Sequence, residues 1–378
     1  MQAQLRAIDI QWLDVTHDLG REFAKREADY DREAAFVKEN YLRLKERRFF
    51  SAAIPAELGG EGVPHSQMCD ILRVMAWYSP STALALSMHQ HLLAANIWKY
   101  KKGQGGEAIL KKVAENQLVL VSTGARDWLE SNGEMQKTEG GYLVTAQKHF
   151  ASQSAVGDLL VTSAPYHDPE SGWQVLHFPV PFSSKGLTVK DDWYTLGMRG
   201  TGSHTVKLEN VFVAESAIVL RRPRGEFHPF WAVVLTVAMP LIMSVYVGVA
   251  ERAAQIVIQQ AKGSKLRKPH LHYQIGEMNN ELTAAQVQLQ DMVRICNNYD
   301  FQPLDRNAHE ILTRKTNVAN AAMRTVAKAM EAAGGQGFFN SFGLERLFRD
   351  VQGAQYHPLQ EKDQQLFSGE FLLREEGN

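Results

Sequence analysis

The amino-acid sequence predicts an α+β chain, mostly helical, arranged as helices, then strands, then helices. Three observations carry this. Up to about residue 114, apolar residues recur at i, i+3 and i+4, the period of an amphipathic helix. Between about 117 and 214 the segments become short, β-branched or aromatic, and are separated by Gly, Asp, Pro and Ser. From about residue 230 the helical period returns.

The first block opens on a charged, amphipathic stretch, 16–46, followed by ILRVMAWY and STALALSMHQHLLAANIW. The glycine-rich turn KKGQGGE then breaks the pattern. QLVLVS, GYLVTAQKHF, DLLVTSA, WQVLHFPV, GLTVKD and HTVKLENVFV read as strands. In the last block NNELTAAQVQLQDMVRI and ANAAMRTVAKAMEAAGG read as helices, the second ending on the Gly pair expected beyond a helix C-terminus. No residue from Phe230 to Ala250 is charged, and that length could cross a bilayer. The segment contains Thr236, Pro240 and Ser244 and runs on into AERAAQIVIQQAK, so a helix buried on all sides is expected, with no membrane span. Three such layers leave room for a small-molecule substrate where the β block meets the last helices.

The 378 residues carry 41 Lys plus Arg against 42 Asp plus Glu, so no net field argues for nucleic acid or an anionic membrane. Two cysteines, Cys69 and Cys296, cannot build a disulfide framework, and the N-terminus lacks a basic leader with an apolar core. A reduced, cytoplasmic setting follows as the expectation.

Phosphate-cradling motifs and a G-x-S-x-G elbow are missing. His89/His91 and His270/His272 are H-x-H pairs, but on a helix i and i+2 face apart, and no third ligand lies near in sequence. No metal is expected. Three stretches stand out instead. In DDWYTLGMRGTGSHTVKLENVFV, three glycines within six positions allow close backbone approach to a flat or anionic ligand, or simply a tight connection between strands. KHFASQSAVGDLL sets an aromatic and two serines, Ser152 and Ser154, at a strand end. GGQGFFNSFGLERLFRDVQGAQYHP joins a glycine-rich turn to an Arg-Asp pair and then His357-Pro358, where proline demands a turn.

In this order LGMRGTGSHTVKLENVFV and GGQGF with LERLFRD, supported by IPAELGGEGV and STALALSMHQH, resemble the acyl-CoA dehydrogenase superfamily over nearly the whole chain. The resemblance implies an N-terminal helical domain (1–116), a central β-barrel-like domain (117–225) and a C-terminal four-helix bundle (226–378). It implies a flavin between β domain and bundle, in a homotetramer or homodimer. Phe150 and Ser152 match the strand-end aromatic and hydroxyl that face the flavin ring. Gly334, Gly335 and Gly337 match the loop that meets the neighbouring subunit's cofactor. Where the family holds the flavin pyrophosphate, this chain has VSTGARDWLES, leaving Ser122, Thr123 and backbone groups. The Arg-x-x-Phe-Gly run becomes SKLRKPHLHY, and Glu331 stands where a Gln often meets the adenine. FAD is the implied cofactor, with FMN as the alternative.

The resemblance also implies an enzyme, by default one dehydrogenating the α,β bond of an acyl-CoA-like thioester and passing electrons to a partner. Yet Pro358 occupies the usual position of the catalytic Glu, and Ala238, followed by Met239, its alternative position. Glu361 lies about one helical turn further on and is not expected to reach. RRPRGEF, 221–227, could meet CoA phosphates or be a solvated loop. The two-component flavin monooxygenases of the same superfamily resemble this chain at "FAS" and at the His after the Arg-Asp pair. There the Ser and His, here Ser152 and His357, hydrogen-bond a flavin hydroperoxide, and a flavin reductase is the partner. A third alternative is a flavin-binding scaffold without catalysis.

Overall fold

The computed structural model describes residues 7–123, 129–263 and 269–375. Parts of VSTGARDWLES (124–128) and SKLRKPHLHY (264–268) lie outside the described residues. The first layer contains α1 (Ala7–Phe23), α2 (Glu27–Glu33), α3 (Lys38–Glu46), α4 (His65–Ala76), α5 (Pro80–Lys101) and α6 (Glu107–Asn116). The stretch 16–46 is therefore several helices rather than one run. Ala34 takes φ of 53° and closes α2, so Tyr30, Val37 and Tyr41 are buried around a corner. α5 buries nearly every face over Pro80–Gln90, as a helix apolar all round must. His89 ties it to the sheet: its Nδ1 accepts from the Leu120 amide (3.0 Å) while Nε2 donates to the Phe50 carbonyl (2.8 Å).

The β layer holds β1 (Leu120–Ser122), β2 (Glu134–Thr138), β3 (Gly141–Ala151), β4 (Leu159–Asp168), β5 (Gly172–Pro181), β6 (Leu187–Val189), β7 (His204–Ala214) and β8 (Leu220–Pro223). They form two four-stranded sheets, ordered β1-β4-β5-β8 and β2-β3-β7-β6. All neighbours are antiparallel except β1 with β4. The β3–β7 register slips between Lys148 and Ala151, a bulge that matters for the site.

The last layer contains α7 (Pro229–Gly263), α8 (Pro269–Cys296), α9 (Asp305–Ala333), α10 (Leu344–Val351) and α11 (Glu361–Glu375). α7 is long and apolar enough to cross a membrane, but its apolar stretch is packed inside the protein against α4, α5, α8 and α9. Thr236 and Ser244 fold their hydroxyls back onto the carbonyls of Ala232 and Pro240, so neither hydroxyl is stranded in the uncharged stretch of α7. A Cβ on Gly248 would overlap the Arg73 carbonyl, and its absence lets α7 touch α4.

Glu27 is buried on α2 and accepts a hydrogen bond from Ser79 Oγ (2.5 Å). Burial pushes its carboxyl up to about 7, against the opposing pull of Ser79 and Arg346. A raised carboxyl destabilises the fold where it must ionise, so Glu27→Gln is expected to stabilise the protein at pH 8. The gain should approach about 3 kcal/mol at pH 8 and fade towards pH 5, where the folded state already holds the proton. Urea unfolding at the two pH values checks this.

Candidate active site

A cavity of about 410 Å³ opens where the two sheets meet α5, α7 and the α10–α11 connection. That size is ordinary for a small-molecule or cofactor site. α7 supplies one wall, with Trp231, Leu235, Ala238, Ile242 and Tyr246 on a single face by their three- and four-residue spacing. Leu84, Met88 and His91 of α5 form a second wall.

The strand-end wall comes from β3. At the bulge Phe150 takes φ of 57°, an uncommon conformation for a bulky residue, and the residue stays 45% exposed. The bulge turns this ring onto the cavity, where it meets the edge of Trp193 at 5.9 Å between centroids. Two residues on, Ser152 also lines the cavity, its Oγ 2.7 Å from Ser203 Oγ. Ser203 lies 2.7 Å from Thr201 Oγ1, which donates to the Met198 carbonyl at 2.9 Å.

The connection from β6 to β7 carries Trp193, Thr195, Leu196, Gly197 and Met198 into the same wall. Its glycines serve close packing within the protein, and Gly197 also borders the cavity. A Cβ on Gly197 would overlap the Arg349 carbonyl, and on Gly200 it would press on Ser81 and Val37. The wall is clamped to α10: the Met198 amide donates to Asp350 (2.5 Å) and Arg349 to the Leu196 carbonyl (3.1 Å). Asp350 is buried, which pushes its carboxyl up to about 6.

After α10 the chain makes a 3-10 turn, Gln352–Tyr356, and His357 is extended (φ −70°, ψ 144°), as a residue before proline must be. Lys315 of α9 donates to the Leu359 carbonyl (2.8 Å) and holds this turn. His357 lines the cavity, with Nε2 2.7 Å from the hydroxyl of buried Tyr246. Burial, with Lys315 and His91 nearby, pushes the imidazole down to about 3, so it is neutral near pH 7.

Of the residues singled out in the sequence, Ser122, Phe150, Ser152 and His357 share this cavity. Thr123 turns away and bonds Thr162 Oγ1 (2.8 Å) in the sheet. Gly334, beyond the end of α9, borders a second cleft with Gln260, His270 and Glu331, and Gly335 and Gly337 follow it in the same turn. Pro358 and Ala238 both line the main cavity, and no Asp or Glu does so among the described residues. Glu361 lies outside the lining, accepting from Asn320 and Gln365. In RRPRGEF, Arg222 is neither solvated nor turned to a ligand: it is buried, with Nη1 on the Leu129 carbonyl (2.6 Å) and its guanidinium over Trp231. The sequence reading weighed His91 only as a metal ligand, and missed Trp231 and Tyr246. The i+4 steps from Ala238 through Ile242 to Tyr246 would have placed the tyrosine on the same face.

The lining suits a flavin. Hydroxyls of Ser122, Ser152 and Ser203 can meet its polar edge, Phe150 and Trp193 offer flat surfaces, and among the described residues the lining holds no carboxylate to oppose a phosphate. The backbone at Gly334 and Gly335 is open, since a Cβ at either would touch nothing within 4 Å.

Comparison with known proteins agrees. The acyl-CoA dehydrogenase N-terminal domain matches residues 14–117 and the acyl-CoA dehydrogenase C-terminal domain matches 241–361, together well over half of the chain. YdbM of Bacillus subtilis (strain 168), which carries a provisional acyl-CoA dehydrogenase name, is 26% identical over 92% of this chain and 93% of its own. A pigment production hydroxylase of Rhodococcus sp. (strain ATCC 21145) is 24% identical over 91% of each. KijD3, solved in complex with FMN and dTDP-3-amino-2,3,6-trideoxy-4-keto-3-methyl-D-glucose, shares the fold at a TM-score of 0.89 and 22% identity, over 98% of this chain and 95% of its own. With both domains matched in order around a cavity that suits a flavin, this chain belongs to the acyl-CoA dehydrogenase superfamily of flavin-dependent oxidoreductases.

Proposed function

We propose that the protein is the oxygenase component of a two-component flavin monooxygenase, acting on a small, largely apolar substrate, with a separate reductase supplying reduced flavin. One observation carries this: the cavity brings Ser152 and His357 together and, among the described residues, contains no carboxylate. A reduced flavin, when bound, supplies the two electrons with which O2 gives one atom to the substrate and the other to water.

The chain's own residues do the rest. Ser122 and Ser152 would hold the flavin's polar edge, and Phe150 with Trp193 its flat face. FMN suffices for such contacts, and FAD would add an adenine near the second cleft. Gly334, Gly335 and Gly337 would meet the cofactor of a neighbouring subunit in a homodimer or homotetramer. Leu84, Met88, Leu235 and Ile242 keep water from the reacting centre, where polar donors act most strongly. Ser152 and neutral His357 provide hydrogen bonds to the oxygen-bearing group. The relation to a hydroxylase and to an FMN-bound neighbour supports the reading.

Dehydrogenation of an acyl thioester needs a base for the α-proton. Pro358 and Ala238 face the cavity at the two positions where relatives place it, and neither can take a proton. An imidazole pushed down to about 3 is a poor substitute.

The test is rapid mixing of protein loaded with photoreduced FMN against oxygenated buffer, following oxygen and flavin absorbance together. Oxygen is expected to disappear before oxidised-flavin absorbance returns, and His357→Ala to abolish that delay. Simultaneous change of both signals in the native protein, or anaerobic bleaching of the oxidised flavin by an acyl-CoA, would overturn the proposal.

A further inference from the structure

Two polar groups of the cavity, His357 and Ser152, have fixed and opposite hydrogen-bonding senses. We propose that Tyr246 is a positioning residue that keeps the His357 proton on Nδ1, and that Ser203 and Thr201 turn the Ser152 proton away from the cavity. His357 then offers a donor and Ser152 an acceptor, so the pair reads a ligand group that donates and accepts at once, such as a hydroxyl. This rests on the monooxygenase reading only for the identity of that group.

The assignment follows from counting protons. Tyr246 is fully buried on α7 and burial pushes its phenol well above the usual range, so it remains O–H. Its hydrogen bond to His357 Nε2, 2.7 Å, is the one in which its proton can be satisfied. A buried hydroxyl whose proton points at an N–H would be left unpaired at a cost of a lost hydrogen bond. The phenol therefore donates, Nε2 accepts, and a neutral imidazole must carry its proton on Nδ1. Among the described residues the hydrogen bond of His357 is made at Nε2, which leaves Nδ1 for a ligand in the cavity that His357 lines. The groups around the pair do not reverse this. Lys315 from α9 and His91 from α5 both disfavour the charged imidazole, and Asp350 from α10 disfavours an ionised Tyr246.

The serine side is fixed from its far end. A carbonyl only accepts, so Thr201 spends its one proton on Met198. Ser203 must then donate to Thr201, and Ser152 to Ser203, at 2.7 Å each. Ser152 Oγ is left facing the cavity with lone pairs. Gly353 keeps the tyrosine in place: a Cβ there would lie 2.7 Å from the Tyr246 hydroxyl.

Neutron diffraction from deuterated crystals of the full chain at pH 7 reads both proton positions. Deuterium on His357 Nδ1, with the Ser152 hydroxyl aimed at Ser203, is the expected result. Deuterium on Nε2, or a Ser152 hydroxyl aimed into the cavity, would overturn the proposal. In solution, long-range proton–nitrogen correlation of ring-labelled histidine follows the tautomer, with the His357 signal assigned by its loss in His357→Gln. Tyr246→Phe should shift the tautomer ratio about 5- to 10-fold towards Nε2–H, the worth of one hydrogen bond. Gly353→Ala, which displaces the same hydroxyl, should move it in the same direction if Tyr246→Phe does not fold. An unchanged ratio in the folded variants would overturn the assignment. These readouts need no turnover, so a failed oxygen test would remove the reaction and leave the proton positions standing.

Discussion

Arg349→Met is expected to cost about 2–3 kcal/mol of stability, the consequence of removing the hydrogen-bonded cation from a half-buried ion pair. Arg349 grips Asp31 through both nitrogens, at 2.8 and 2.6 Å, and Glu345 through Nε at 2.8 Å. The Asp31 side chain is only 16% exposed, and its other cation, Arg199, stands 3.9 Å away. Methionine fills much of the volume but leaves two carboxylates facing each other without the guanidinium. The Leu196 carbonyl loses its donor too, so the cavity wall loosens along with the fold. Because α2, the β6–β7 connection and α10 meet here, the loss is global rather than local. Urea unfolding at pH 7 measures it. Asp31→Asn combined with Arg349→Met should lose less than the two single changes added together, since both remove one interaction.

The layers were legible because period is a local property. Val211 and Val213 of β7 alternate with exposed Asn210 and Phe212, and Ala308, Ile311 and Leu312 of α9 repeat at helical spacing, so pattern and burial agree. The corner in 16–46 was not legible, because it depends on Ala34 in a left-handed conformation that its sequence does not advertise. Phe150, Ser152 and His357 stand beside punctuation, a strand end and a proline, but it was the family resemblance that set them at a flavin. The other half of the site comes from residues that look like core. Trp231 and Tyr246 sit in the most apolar helix of the chain, and His91 resembles its structural neighbour His89. Only packing separates a tyrosine that fills a core from one that touches an imidazole. Likewise the Gly197–Gly202 run advertises close approach but not to what, and the contact is with Arg349, Ser81 and Phe36.

His357→Ala should leave flavin oxidation by O2 running while oxygenated product falls about 10²–10³-fold, the scale of losing one preorganised donor. Hydrogen peroxide should account for the missing oxygen, so peroxide and product measured against oxygen consumed form the check. His357→Gln, which keeps an N–H in reach, should recover part of the loss. The pH dependence separates a donor from a base. The folded imidazole is pushed below its ordinary 6.5 to about 3, so it holds no extra proton anywhere between pH 5 and 9. Its share of product formation should be flat across that range, whereas a base at the usual value would switch on through pH 6.5. Stability carries the opposite signature: the unfolded chain takes up the His357 proton below pH 6.5 and the folded one does not, so stability falls with falling pH. Alanine at 357 removes that proton uptake. The variant should therefore lose less stability than the native protein between pH 6.5 and 5 while its product yield stays low at every pH. A native product profile rising through pH 6.5, absent in His357→Ala, would instead make the residue a base, and the neutral imidazole against Tyr246 could not be the working form.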